Sequence, residues 1–271
     1  MRIQHSSPCS QAFWQKLKQE AKDVSNNEPL LASYLHACVL CHHNFETSLS
    51  FILSNKISDD VMPAIAVSEM FDEAFMVAPD IVDSAMRDIQ AVVSRDPAVS
   101  SYLTVLMHFK GFQALQAHRL ANYLWHKGRE HLALFIQSRN SQVFSVDIHP
   151  AAKIGSGVMF DHATGIVVGE TAVIEDNVSI LQEVTLGGTG NESGDRHPKV
   201  REGVMIGSGA KILGNIEIGR SSKVGAGSVV LESVPACCTV VGVPAKIVSH
   251  HTCDMPCESM DQSIMYDKTS K

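Results

Sequence analysis

The stretch from residue 145 to residue 249 contains three histidines, His149, His162 and His197. With an ordinary pKa near 6.5, an imidazole can take the proton from a hydroxyl at neutral pH, a general-base contribution of roughly 10²- to 10⁴-fold. Arg196 stands directly before His197 in a polar, glycine-rich run, Gly188-Thr-Gly-Asn-Glu-Ser-Gly-Asp-Arg-His-Pro-Lys199. A planar guanidinium suits bidentate capture of a carboxylate. No cysteine lies between residues 145 and 236, so this stretch offers no thiol to carry a covalent intermediate.

Two other clusters are weaker candidates. Cys38-Val-Leu-Cys41-His42 has the spacing of a c-type haem attachment site. No export signal accompanies it, and the cysteines fall on an apolar helical stripe, so core packing is the better reading. His250, His251, Cys253 and Cys257 form a ligand-rich tail, but no second Cys-x-x-Cys pair supports a structural zinc. No metal site is expected.

The elements that hold these residues divide near residue 145. Only Gly111 and Gly128 of the 18 glycines precede it, whereas 14 of the 16 aromatics do, which predicts two architectures in one chain. The first reads as helices. Phe13, Leu17, Ala21 and Val24 form a stripe after a cap at Ser10, and Leu31, Tyr34, Leu35 and Cys38 form another after Pro29. A further segment is expected from near Ser58. Ile81, Ala85, Ile89 and Val92 mark a helix between Pro79-Asp80 and Asp96-Pro97. One or two more helices are expected between Ser100 and Gln142.

The second part repeats every six residues. Ile148, Ile154, Phe160, Ile166, Ala172, Val178 and Val184 are one apolar series, and Val200, Ile206, Ile212, Ile218, Val224 and Val230 are another. A unit of six is too short for a helix pair and suits one short strand and turn of a parallel β-solenoid, three units to a coil. Small residues such as Ala152, Thr164, Ala210, Ser222 and Ser228 fit the tight corners. Between Val184 and Val200 the register breaks, which predicts a loop thrown out over residues 188–199.

The repeat resembles that of the hexapeptide-repeat acyltransferases, whose β-helix is left-handed, an exception to the usual crossover rule. Asp147-Ile-His-Pro150, Asp161-His-Ala-Thr-Gly-Ile-Val-Val-Gly-Glu170, Leu186-Gly-Gly-Thr-Gly190 and Gly194-Asp-Arg-His-Pro-Lys199, after a helical first half, resemble the serine acetyltransferases over roughly residues 10 to 250. The fold class implied is α+β, with an all-helical N-terminal domain (1–144), a left-handed parallel β-helix with one inserted loop (145–250) and a flexible tail (251–271).

The resemblance also implies an activity: direct transfer of acetyl from acetyl-CoA to L-serine, the first step of cysteine biosynthesis, with acetyl-CoA as co-substrate. His162 corresponds to the base and Asp147 to the carboxylate that orients it. The fifteen residues between them allow contact on neighbouring coils or across a subunit boundary. Asp161 and Asp96 match the ammonium-binding residues, Asp96 reaching the site of another subunit, and Arg196 and His197 complete the amino-acid pocket. Gly188, Thr189, Ser208, Gly209, Lys223 and Ala226 match the CoA groove, with Ser208 where the family usually has alanine. The resemblance further implies feedback inhibition by L-cysteine in the same pocket and a trimer or a hexamer made of two trimers. The chain ends Asp267-Lys-Thr-Ser-Lys271 rather than in the isoleucine that docks many of these enzymes to O-acetylserine sulfhydrylase, which speaks against that complex.

Composition narrows the alternatives. With 22 basic and 29 acidic side chains the formal net charge is −7, which repels phosphate backbones and argues against nucleic acid as a partner. No apolar run approaches the ~18 residues of a membrane span, and residues 1–9 lack the apolar core of a signal peptide. Seven scattered cysteines read as free thiols in a reducing cytoplasm. Rival readings of the solenoid are a transferase for a sugar or drug hydroxyl, a γ-type carbonic anhydrase and a non-catalytic scaffold. The first has little use for a carboxylate-binding arginine beside paired aspartates, and the histidine spacing does not resemble the second.

Overall fold

A computed structural model describes residues 8–190, 193–252 and 254–264. The N-terminal residues read as lacking a signal peptide, Cys253 of the ligand-rich tail and the terminal Asp267–Lys271 fall outside the described residues.

The first stripe forms α1 (Pro8–Asn27), which buries Phe13, Leu17 and Ala21. A 3₁₀ turn (Pro29–Leu31), α2 (Ala32–Leu35) and a π turn (His36–Leu40) follow. They bury Leu35 and Cys38 but leave Leu31 and Tyr34 exposed. In α3 (Phe45–Ile57) the Asn44 side chain caps the N-terminus by accepting from the Thr47 N–H at 3.1 Å. The segment expected from Ser58 starts later. Asp59 accepts backbone N–H groups from Val61 and Met62, closing a turn, and α4 (Ala64–Val77) begins after Pro63.

The helix α5 (Asp80–Arg95) buries Ala85, Ile89 and Val92 and stops before Asp96-Pro97 as read. Three helices then replace the one or two expected: α6 (Tyr102–His108), α7 (Lys110–His126) and α8 (Glu130–Phe144). Phe109, with extended ψ of 99°, separates the first two, and Gly128, with φ of +73°, lies between the last two.

Ser145, left-handed at φ 59°, turns the chain from α8 into the solenoid. Its strands are β1 (Val146–Ile148), β2 (Lys153–Ile154), β3 (Met159–Phe160), β4 (Ile166–Val168), β5 (Val173–Ile174), β6 (Ser179–Ile180) and β7 (Thr185–Gly187). After the loop come β8 (Lys199–Val200), β9 (Met205–Ile206), β10 (Lys211–Leu213), β11 (Glu217–Ile218), β12 (Lys223–Val224), β13 (Val229–Val230), β14 (Cys238–Gly242) and β15 (Ala245–His250). Every third strand joins one face: β1-β4-β7-β10-β13 form the first, β2-β5-β8-β11 the second, and β3-β6-β9-β12-β14 the third. All pairings are parallel except β14 with β15, which closes the third face. This is the α+β arrangement of helices followed by a β-helix.

Pairing corrects the register read by counting sixes. Ile148 stacks on Val168, twenty residues on (168 − 148), whereas Val168 stacks on Leu186, eighteen on (186 − 168). Two extra residues therefore lie between Phe160 and Ile166, in the corner that carries His162. The slip is silent in a hydrophobicity count. Residues two apart on a strand face the same way, and Ile166, Ala172, Val178 and Val184 are as buried as Val168, Ile174, Ile180 and Leu186.

The helices are keyed to the solenoid rather than laid over it. A Cβ on Gly111, in the first turn of α7, would lie 2.1 Å from the Phe160 carbonyl oxygen, so only glycine lets the helix approach this strand. The buried Asp88 carboxylate accepts from Arg119 at 2.7 Å, Gln116 at 2.9 Å and the Val158 N–H at 2.9 Å. Arg95, at the end of α5, donates to the Gly157 carbonyl and the Ser179 hydroxyl. These bonds fix Asp96, the next residue, against the first coil.

Residues 254–264, read as part of a flexible tail, include α9 (Pro256–Ser259). Its Cys257 is buried, and the Cys257 carbonyl accepts from the Ser179 hydroxyl at 3.1 Å. Cys38, Cys41, Cys238 and Cys257 are free thiols, but Cys237 is disulfide-bonded, against the expectation of free thiols throughout.

Candidate functional site

The candidate residues gather at two corners of the solenoid. Where the third face turns into the first, the two extra residues force a left-handed path: His162 has φ 53°, Ala163 63° and Gly165 75°. Such angles are uncommon for a residue with a side chain and recur at functional positions. The corner is pinned by bonds from the Asp161 N–H to the Ile180 carbonyl and from the Gly165 N–H to the Ser145 carbonyl. Lys110, at the start of α7, donates to the Thr164 hydroxyl. His162 is thus held by its backbone while its side chain stays 74% exposed, and its Nε2 lies 3.8 Å from Asp161 Oδ1.

Asp161 is more enclosed. Burial pushes its carboxyl up, His162 pulls the other way, and the charge of Asp96 adds to the rise. Asp96, at the end of α5, accepts from the Ala98 N–H at 2.9 Å. Asp96, Asp161 and His162 therefore form one group within one chain: two carboxylates that favour an incoming cation beside an imidazole with open space around it.

The second group lies where the first face turns into the second. Thr171 is its hub. Its hydroxyl oxygen accepts the N–H groups of Arg196 at 3.0 Å and His197 at 3.1 Å, and lies 2.9 Å from His197 Nδ1. The Thr171 N–H also donates to that Nδ1 at 3.2 Å. With Nδ1 accepting, the ring proton of His197 sits on Nε2. Burial, helped by Arg196, holds His197 below the ordinary imidazole range, so it is neutral at pH 7. Arg196 donates to Glu170 at 2.6 Å and to the Gly194 carbonyl at 3.0 Å, which fixes the guanidinium.

Asp147 is on β1, and its Oδ1 accepts from Gln137 of α8 at 2.8 Å. Among the described residues it makes no ion pair or hydrogen bond with His162. Its charge is felt instead by His149, whose ring meets Trp125 edge-on at 5.1 Å between centroids. Burial lowers the His149 pKa, and Glu170 and Arg196 also act on it, in opposite senses. His149 thus belongs to the Arg196 group. So do Gly169, Glu170 and Thr171, to none of which the sequence assigned a role. The missed signal is the twenty-residue first coil: it sets His149 level with Gly169 and beside the loop, whereas an eighteen-residue count does not.

The residues matched to the CoA groove fall in three places. Ser208-Gly209 and Ala226 lie in the stack of corners that begins at His162: the Gly209 N–H donates to the Gln182 carbonyl, and the Gly227 N–H to that of Ser208. A Cβ on Gly227 would meet nothing within 4 Å, so this edge is open to a chain lying along it. Gly188 and Thr189 begin the inserted loop at the other corner. Lys223, on β12, is 8% exposed and donates to the Ser263 carbonyl, and burial lowers its ammonium pKa.

Comparison with known proteins identifies the family. The family described as "Serine acetyltransferase, N-terminal" matches residues 13–117, and that of the bacterial transferase hexapeptide repeat matches residues 197–232. A serine acetyltransferase of Salmonella typhimurium is 59% identical over 257 residues, 94% of each chain. A solved serine acetyltransferase in complex with cysteine is 57% identical with a TM-score of 0.93, covering 94% of this chain and all of the other. A serine acetyltransferase from Brucella abortus in complex with coenzyme A is 47% identical with a TM-score of 0.89, covering 92% of this chain and all of the other.

Proposed function

The chain belongs to the serine acetyltransferase family, and we propose that it moves the acetyl group of acetyl-CoA to the hydroxyl of L-serine with His162 as general base. The observation that carries this reading is the split of the candidate residues into two complementary corners. One holds Asp161, Asp96 and an exposed His162, and the other holds Arg196 and His197. An α-amino acid needs both, one for its ammonium and one for its carboxylate. Because Asp147 and His162 do not pair within one chain, we place the site between two copies, His162 of one facing Asp147 and Arg196 of the next. Closed cyclic trimers make such repeated corner-to-corner contacts.

In this site the serine ammonium lies between Asp96 and Asp161, and the carboxylate meets Arg196 and His197. His162 takes the hydroxyl proton as the oxygen attacks the thioester carbonyl carbon. The tetrahedral adduct collapses, the carbon–sulfur bond breaks, and the imidazolium returns the proton to the departing CoA sulfur. Asp147 steadies the imidazolium between these steps. CoA supplies the activated acetyl group; the open corner edge at Ser208-Gly209 and Ala226, with Gly188, Thr189 and Lys223, would hold its arm.

L-cysteine shares the ammonium and carboxylate of serine and differs by a thiol, so the same pocket serves as a feedback site; the cysteine complex of a relative supports this. Residues 1–144 complete the amino-acid pocket through Asp96, and 145–250 carry the transfer. A cytoplasmic trimer or hexamer is the form proposed.

The test is release of CoA from acetyl-CoA with L-serine, D-serine, L-homoserine or a galactoside, read by loss of thioester absorbance with and without L-cysteine. Stereospecific L-serine turnover blocked by cysteine is expected. Turnover of the galactoside alone would overturn the substrate, and no release with any acceptor would overturn the activity.

A further inference from the structure

Of the three histidines between residues 145 and 249, His149 is the one to which the proposed reaction gives no task, yet it shares the corner of the carboxylate-binding pair. Its Nδ1 accepts the Ala151 N–H at 3.1 Å. The ring proton is therefore on Nε2, as it is in His197, whose Nδ1 is filled by Thr171. Neither Nε2 makes a hydrogen bond among the described residues, and that of His197 faces the backbone of Gly169 and Gly188, at the start of the loop. The His149 ring is further fixed by its edge-on contact with Trp125. Arg196 acts electrostatically on both rings, and His149 acts on His197. Two imidazoles in the same tautomer, neither with an Nε2 hydrogen bond among the described residues, thus share the corner of one guanidinium.

Resting on the serine reading above, we propose that His149 is a third donor to the carboxylate of the acceptor amino acid, acting with Arg196 and His197. The chemistry fits the demand. A carboxylate offers about four lone-pair positions, and Glu170 already takes one face of the Arg196 guanidinium at 2.6 Å. Neutral N–H donors fill the remaining positions without placing further positive charge beside the arginine. The arrangement selects acceptors with a free α-carboxylate over amides or amines of the same length.

The test compares steady-state kinetics of wild type, H149N and H149Q with L-serine and with L-serinamide. Asparagine can keep an acceptor for the Ala151 N–H but has no group at the Nε2 position. Glutamine can place an N–H donor there. Loss of a hydrogen bond to a charged group predicts a rise in KM for L-serine of roughly ten- to hundredfold in H149N, with kcat falling less than threefold and the KM for acetyl-CoA held. The preference for L-serine over L-serinamide should shrink by the same factor, and H149Q should recover most of both. A purely structural His149 would lower kcat for both acceptors alike and leave the preference intact; that result, or an unchanged KM in H149N, overturns the proposal. If H149N does not fold, H149Q decides against H149A by the same ratio. A wild type that does not turn over L-serine would overturn the function itself, whereas active wild type with an unchanged acceptor preference in the variants overturns only the role of His149.

Discussion

A Cβ on Gly169 would lie 2.0 Å from Cδ2 of His197, so the imidazole occupies the space that any side chain at 169 would need. Gly169 is not among the glycines with positive φ, so alanine is acceptable to the backbone there and its effect falls on the ring. G169A should displace His197 from Thr171 and lower kcat/KM for L-serine by roughly ten- to hundredfold, the cost of one lost charge-assisted hydrogen bond. Steady-state kinetics on folded G169A checks this; wild-type kcat/KM would mean that the ring position does not matter.

Asp161 joins function to stability. Its carboxyl is raised by burial and by Asp96, so the folded state holds the proton more tightly than the unfolded chain does. Ionised Asp161 therefore costs stability above the folded pKa, and the cost disappears as pH falls below the ordinary carboxylate value. D161N should raise the melting temperature at pH 7, with the gain shrinking towards pH 3.5, while L-serine turnover collapses. Thermal melts across pH together with an activity assay test both halves; a D161N enzyme less stable than wild type at pH 7 would contradict the first.

His118 sits in α7 with 3% exposure, and burial, chiefly, holds its pKa down to about 3. The unfolded chain binds this proton below about 6.5 and the folded chain does not, so stability is lost as pH falls through that window. The expected slope is on the order of 1.4 kcal/mol per pH unit. H118Q, which removes the titration, should flatten the dependence of unfolding free energy between pH 6 and 4 measured in urea. An unaltered slope would place the acid sensitivity elsewhere.

Much of the architecture was legible because it is periodic. Six-residue stacking marked the solenoid, and the stripes in α1 and α5 were placed with their buried residues. What escaped was aperiodic. The break at Phe109 carries no proline, and the nearest glycine, Gly111, lies inside α7, and so three helices read as one or two. The insertion beside His162 was hidden because the alternate inward positions, Ile166 and Val168, are both aliphatic. With the coil length misjudged, Gly169, Glu170 and Thr171 could not be set against His149 and the loop. The grouping of the site was equally illegible, since whether Asp147 meets His162 depends on three-dimensional distance and on a second copy of the chain.

A site completed by two subunits, His162 from one and Arg196 from the next, can be measured by complementation. H162A and R196A are purified separately, shown to assemble, then unfolded and refolded together at equal concentration. Each parent alone should have turnover of L-serine reduced by at least two orders of magnitude. Random mixing leaves about one interface in four with both residues intact, so the mixture should recover about a quarter of wild-type activity. Mixed assemblies, verified by mass spectrometry, that remain as inactive as their parents would contradict a shared site.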